Sequence, residues 1–167
     1  MRVGFTGTQL GMSESQKRAI KKALELFRKE SYEFHHGDCI GSDSEAHQIA
    51  SEIGYFIVLH PPTNSSKRAF CKADKEEKAL PYLERNLEIV KSTQVLLATP
   101  KGMIEERRSG TWSTIRKAKK IGRKIMIIFP NGHVQIHKEN EEDIAYLKKN
   151  LFESLKVPKE FLKENEE

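Results

Sequence analysis

Residues 82–122 read YLERNLEIVKSTQVLLATPKGMIEERRSGTWSTIRKAKKIG. Leu83, Leu87 and Val90 recur at helical spacing, and residues 94–98 (QVLLA) then form an apolar run that Thr99-Pro100 closes. Ser109-Gly110-Thr111 opens a second helix over residues 111–121, with Trp112, Ile115 and Ala118 inward and the lysines outward. A buried strand between two amphipathic helices is the repeating unit of a parallel sheet.

The same alternation extends to both sides. Residues 2–6 (RVGFT) read as a strand ended by Gly7, and Ser13 with Gln16 forms a capping box. The helix that follows carries Ala19, Ile20, Ala23, Leu24 and Phe27 on one stripe. A strand at 31–35 leads to a helix capped by Ser42 with Glu45, bearing Ala46, Ile49, Ala50 and Ile53. Residues 55–59 (YFIVL) suit a strand covered on both faces, ended by His60-Pro61-Pro62. Residues 63–79 are polar and irregular, with a helix expected near 69–78. Residues 124–129 give the next strand, Pro130-Asn131-Gly132 its turn, and 134–137 an added edge strand. Asn140 is expected to cap a last helix with Ile144, Leu147 and Leu151 inward. The expectation is an α/β protein with a Rossmann-like, doubly wound, mainly parallel sheet and helices on both faces. One domain spans 1–155, and 156–167 form a partly ordered tail.

The chain has 167 residues, a size that suits one domain, and 37% hydrophobic content is enough for a core. No apolar run nears the ~18 residues of a membrane span. The start, MRVGFTGTQLG, does not read as a secretory signal. Cys39 and Cys71 fit neither a zinc spacing nor a disulfide framework, which points to a soluble, cytoplasmic protein. Cys39 reads as a plain thiol or as a nucleophile. Charge is uneven: residues 138–167 hold six Lys against nine acids, whereas residues 107–124 hold eight Lys or Arg and no acid. Such a run is either a solvated helix face or an attraction to phosphate.

In a doubly wound sheet, ligands bind at the carboxyl edge, so function is expected in the turns after the strands. These are Thr6-Gly7-Thr8, Gly37-Asp38-Cys39-Ile40-Gly41-Ser42-Asp43, His60-Pro61-Pro62, Thr99-Pro100-Lys101-Gly102 and Ser109-Gly110-Thr111. Glycine admits close backbone approach, hydroxyls add donors, and a helix start supplies free N–H groups worth ~0.3–1 kcal/mol to an anion. Each turn taken alone reads first as an ordinary turn or cap. Together they favour a ligand site, with Arg107 and Arg108 beside the last.

The set Gly-Phe-Thr-Gly-Thr, Gly-Asp-Cys-Ile-Gly-Ser-Asp, Arg85-Asn86 and Ser-Gly-Thr, in that order over roughly residues 1–130, resembles the SLOG superfamily. That group includes the DNA-processing protein DprA and the Lonely Guy phosphoribohydrolases. The resemblance implies a Rossmann-like fold, a nucleotide or nucleotide derivative at the carboxyl edge, and a homo-oligomer. Thr6, Gly7 and Thr8 match its first loop; Gly37, Asp38, Gly41 and Asp43 match its second, with Ser42 between. Asp38 and Cys39 replace small residues there. Arg85 matches the arginine that faces the sugar phosphate, and Asn86 stands where those enzymes have lysine. Ser109, Gly110 and Thr111 match the end of the phosphate loop. The phosphoribohydrolases carry Gly-Thr-x-x-Glu; here the last position is Thr114, which leaves hydrolase activity unsupported and no catalytic residue assigned.

His60, Thr99 and Trp112 complete the candidate ligand contacts: His60 as a hydrogen-bonding group over the ligand, Trp112 either as core or stacked on a base. Asp38 and Asp43 would take ribose hydroxyls, or Asp43 would favour the helix start. The histidines His35, His36, His47 and His60 offer no HxxxH or CxxC pattern, so no metal is assigned and no cofactor is expected. Three functions remain: a module that senses or sequesters a nucleotide-derived ligand, an enzyme cleaving an N-glycosidic bond through Asp38, Asp43 or Glu84, and a single-stranded DNA binder using the basic helix. The DNA reading ranks last, because that helix offers only an inward Trp112 as aromatic platform. No membrane partner is expected.

Overall fold

A computed structural model describes residues 1–137, Lys149 and the strand at 162–164. The elements run β1 (Arg2–Gly7), α1 (Glu14–Phe27), β2 (Glu33–His36), α2 (Ser42–Ile53), β3 (Phe56–Leu59), β4 (Lys75–Glu76), α3 (Tyr82–Ser92), β5 (Val95–Thr99), α4 (Gly110–Lys120), β6 (Lys124–Ile128), β7 (Val134–His137) and β8 (Leu162–Glu164). The sheet order is β4-β3-β2-β1-β5-β6-β7-β8, parallel except where β7 runs against β6. The chain therefore steps outward from β1 on one side and restarts at β5 on the other, which makes the β1/β5 boundary the switch point.

Two cores flank the sheet, and β5 and β6 feed both with alternate residues. Val3, Phe5, Phe34, Ile57, Leu59, Leu97, Met126 and Ile128 pack on α1 and α2 through Ala19, Ile20, Ala23, Leu24, Ala46 and Ala50. Leu96, Ala98, Ile125 and Ile127 pack on α3 and α4 through Val90, Trp112, Ile115 and Ala118. Side chains on successive strand residues point to opposite faces, so strands covered on both faces must be apolar throughout. The doubly wound Rossmann-like architecture is the one observed. The capping box also forms: Ser13 Oγ accepts from Gln16 N at 3.1 Å and Gln16 Oε1 from Ser13 N at 2.9 Å.

Four local expectations change. Residues 69–78 are not helical: Asp74 and Glu77 N–H groups donate to Ile57 and Leu59 carbonyls, and Lys75–Glu76 add a parallel strand to β3. Ser42 does not cap α2. The N-cap is Gly41, at φ 84, and Ser42 Oγ donates to the Thr8 carbonyl at 2.6 Å. Leu83 is exposed; the buried stripe of α3 is Arg85, Asn86, Ile89 and Val90. β7 is not an edge, because β8 pairs alongside it in parallel. The expected helix after Asn140, the domain limit at 155 and the rest of the 156–167 tail lie outside the described residues. Among the described residues no helix is long and apolar enough to cross a membrane.

The loops after β1 and β2 interlock at Gly41. Its positive φ is reserved for glycine, and a Cβ there would strike the Gln9 backbone. Gly41→Ala should therefore lower the unfolding free energy by about 1–3 kcal/mol. An unchanged denaturant midpoint would show that the loop relaxes freely.

Candidate functional site

A cleft of about 600 Å³ opens at the carboxyl edge over the switch point. The end of β1 forms its floor with Phe5, Thr6, Gly7 and Thr8; α3 gives one wall with Tyr82, Arg85, Asn86 and Ile89. The start of α4 gives another with Ser109, Gly110, Thr111 and Trp112, and Gly37, Cys39 and Asp43 close the deep end. Eleven of the sixteen candidate contacts named from sequence therefore share one cleft: Thr6, Gly7, Thr8, Gly37, Asp43, Arg85, Asn86, Ser109, Gly110, Thr111 and Trp112.

The other five lie outside it. Gly41 and Ser42 hold the loop against Thr8. Thr99 is fully buried behind Gly7, where its hydroxyl occupies the space a Cβ would need. Asp38, also fully buried, at φ 55, accepts from Arg68 Nε and from Cys71 N at 2.9 Å, so it anchors the 63–80 segment. His60 points away from the cleft, its Nε2 2.8 Å from His35 Nδ1. Sequence reading missed Asn64, Ser66 and Lys67, which reach the mouth from that irregular segment, and Tyr82 on α3; Lys101 comes from the turn after β5 that the sequence did mark. No motif marks Asn64, Ser66 and Lys67; their place follows from Asp38 and β4 tying the segment down.

Arg85 was expected to face a sugar phosphate, yet its donors are engaged within the protein. Nε donates to Asn86 Oδ1 at 2.8 Å, Nη1 to the carbonyls of Gly37 and of His60, and Nη2 lies 3.7 Å from Cys39 Sγ. It is a strut from α3 to the loops after β2 and β3. The free donors are elsewhere. The first N–H groups of a helix have no intrahelical partner. In α4 only that of Trp112 is met by the cap, Ser109 Oγ at 3.3 Å, which leaves Gly110 and Thr111 facing the cleft. At the rim stand Arg108, Lys67, which donates to Gln9 Oε1 at 3.1 Å, and Lys101, which pairs with Glu106 at 3.5 Å, so the cations outnumber the acid three to one. Trp112 serves the core and the wall together: it is 6% exposed and packs on Phe129 at 6.3 Å. Burial pushes Asp43 up to about 6, partly opposed by Arg85, and raises the Cys39 thiol, so Cys39 is a neutral thiol at neutral pH and not a ready nucleophile.

Behind the cleft, His36, His47 and Cys71 hold possible ligand atoms within 4.8 Å of one another, a spacing that would suit a metal ion. The protons argue otherwise. Asp38 N–H donates to His36 Nδ1 at 3.0 Å, which fixes the His36 proton on Nε2. That N–H then donates to His47 Nδ1 at 2.9 Å, and His47 meets the Lys72 backbone. Ligation at His36 Nε2 would require breaking the Asp38 bond. The cluster works as a hydrogen-bond chain that holds the second loop.

No protein-family model matches the chain, and no curated protein sequence matches it. Solved structures do. The molybdenum cofactor binding protein of the phototrophic bacterium Rippkaea orientalis is 18% identical with a TM-score of 0.60, over 89% of this chain and 85% of that one. The molybdenum cofactor carrier protein of Chlamydomonas reinhardtii is 16% identical with a TM-score of 0.55, over 99% and 89%. DNA processing protein A of Streptococcus pneumoniae is 17% identical with a TM-score of 0.58, over 98% of this chain and 58% of that one. All three are SLOG superfamily members, and this chain shares their fold.

Two predictions follow from the buried polar groups. Arg85→Ala leaves two buried carbonyls without this donor, each costing about 1–3 kcal/mol, so stability should drop by about 2 kcal/mol or more; a wild-type midpoint would refute the strut. Burial also holds His35, His36 and His47 below the ordinary histidine value and His60 at about 4. The unfolded chain binds these protons near pH 6.5 and the folded chain does not. Their contribution is thus complete above 6.5 and declines as pH falls toward 4. Asp43 opposes this, since its folded carboxyl protonates near 6 and its unfolded one near 3.8. Four rings outweigh one carboxyl, so denaturant midpoints should fall from pH 6.5 to 4; a flat profile would contradict the assignment.

Proposed function

We propose that this protein binds a phosphorylated, nucleotide-derived small molecule in the cleft, as a sensor or sequestering module. One observation carries the reading: the uncovered N–H groups of Gly110 and Thr111 open onto the cleft, with Lys67, Arg108 and the Lys101–Glu106 pair around them. A helix start with positive charge nearby favours an anion. The volume of about 600 Å³ is right for a nucleoside monophosphate. Two structural neighbours are named for the molybdenum cofactor. These neighbours support a small-molecule ligand for this fold.

The two other readings have less support. Thr114 occupies the position of the hydrolase glutamate, is 1% exposed, and donates its hydroxyl to the Gly110 carbonyl at 2.9 Å, so no carboxylate stands there. A single-stranded DNA site would want aromatic platforms beside its basic groups. The aromatic ring of α4, Trp112, is turned into the core, away from exposed Arg116 and Lys120. As part of the same proposal, the protein acts in the cytoplasm as a homo-oligomer; elution at the monomer mass would remove that second element.

A thermal-shift series with nucleoside monophosphates should raise the unfolding temperature, since a ligand at about 100 times its Kd adds about 2.7 kcal/mol. Gly110→Asp should abolish the shift and keep the fold. Its Cβ would meet nothing within 4 Å, and aspartate is well tolerated in a helix's first turn. Absence of any shift with mononucleotides or phosphorylated pterins would sink the proposal.

A further inference from the structure

We infer that the deep end of the cleft recognises the amino-lactam edge of a guanine-type ring, a reading that rests on the anion site proposed at the start of α4. Two buried polar side chains of opposite character line it. Asn86 is 8% exposed, and its Oδ1 accepts from Arg85 Nε at 2.8 Å. That bond fixes which end of the amide faces the guanidinium and leaves its NH2 group, a donor, for the cleft. Asp43 is 5% exposed; its Oδ2 accepts from Cys39 N at 3.1 Å and its carboxyl also meets the Gly37 backbone N–H, and a carboxylate ionised at neutral pH has acceptor sites beyond these two. Arg85 joins the two sides, reaching Asn86 with Nε and Cys39 with Nη2. The wall thus presents a donor and an acceptor on either side of one buried guanidinium.

Charge decides what can sit against it. A carboxylate sharing a cleft with a phosphate is repelled unless N–H or O–H donors of the ligand meet it. The ligand's far end must therefore carry donors for Asp43 and, beside them, an acceptor for Asn86. Guanine has that edge: a ring carbonyl, then a ring N–H, then an exocyclic amine. Pterins carry the same three groups in the same order. Adenine and cytosine set a ring acceptor next to the amine, and that lone pair would face the carboxylate. Uracil has one N–H between two carbonyls. The sugar hydroxyls of any ribonucleotide satisfy Asp43 equally, without regard to the base, and this is the competing use of the residue.

Calorimetric titration of the wild-type protein with GMP, IMP, dGMP, ribose 5-phosphate and neopterin monophosphate separates these cases. IMP lacks only the exocyclic amine. GMP should bind about tenfold or more tightly than IMP, the ordinary effect of one hydrogen bond to a buried charge. dGMP should match GMP. Neopterin monophosphate should bind too, and its rank against GMP distinguishes a pterin from a nucleotide source. Asp43→Asn, which replaces an acceptor with a group that donates, should lose GMP and gain XMP, whose second carbonyl takes the place of the amine. Should that variant fail to fold, the wild-type ratio of GMP to IMP decides. Equal binding of GMP, IMP and ribose 5-phosphate would overturn the edge reading and leave the anion site standing. A drop from GMP to dGMP would assign Asp43 to the sugar and overturn it as well. No binding by any of the five would remove both.

Discussion

A guanidinium buried to 5% exposure organises this sheet edge. Burying a charge is costly unless its donors are met, and Arg85 meets that condition with the Gly37 and His60 carbonyls, the Asn86 amide and the Cys39 sulfur. In doing so it fastens α3, which belongs to one face of the sheet, to loops that follow β2 and β3. It also leaves Gly37 no room for a side chain, since a Cβ there would run into the guanidinium. The cleft's deep end is thus set by a single side chain, whose neighbour Asn86 receives its orientation from it.

A second junction lies at Thr8. Its carbonyl accepts from Ser42 N at 3.1 Å and Ser42 Oγ at 2.6 Å, and its own N–H donates to the Thr99 carbonyl at 3.1 Å. Loops after β1, β2 and β5 meet at that one residue. The interlocking explains why Ser42, a good cap by type, does not cap: its N–H and hydroxyl both donate to the Thr8 carbonyl, which places it as the first residue of α2 with Gly41 at the cap position. The cleft floor is consequently rigid where backbone crosses backbone. Its other wall, the uncovered start of α4, is held by its own Ser109 cap.

The histidines show how proton placement decides chemistry. Three potential metal ligands converge at His36, His47 and Cys71. One backbone N–H, that of Asp38, sets the tautomer of His36 and turns the cluster into a chain of donors and acceptors. The same Asp38 carries the ion pair to Arg68 that fixes the irregular 63–80 segment as a wall of the cleft. Its positive φ is supported from every side by these bonds, which is how a non-glycine residue persists there.

The strands, their burial on both faces and the helices between them were legible in the sequence. Hydrophobic patterning is a local property: Val3–Phe5, Leu96–Ala98 and Ile125–Ile128 are short runs without polar residues, and Ala19, Ile20, Ala23 and Leu24 recur at helical spacing, all without reference to distant neighbours. The glycine and hydroxyl loops that converge on the cleft were equally plain, because strand-to-helix turns of a parallel sheet all fall on one edge. What the linear text withheld was the state of each polar group. Arg85 looks like an anion ligand until Gly37, His60 and Asn86 arrive from elsewhere in the chain to take its donors. His60 looks like a lid until His35 claims its ring. The 69–78 segment has helical composition, but unpaired N–H and C=O groups on the edge of β3 offer it a ladder. Pattern follows from the residue and its near neighbours, whereas hydrogen-bond satisfaction is settled between residues far apart in sequence, so only the folded chain could decide it.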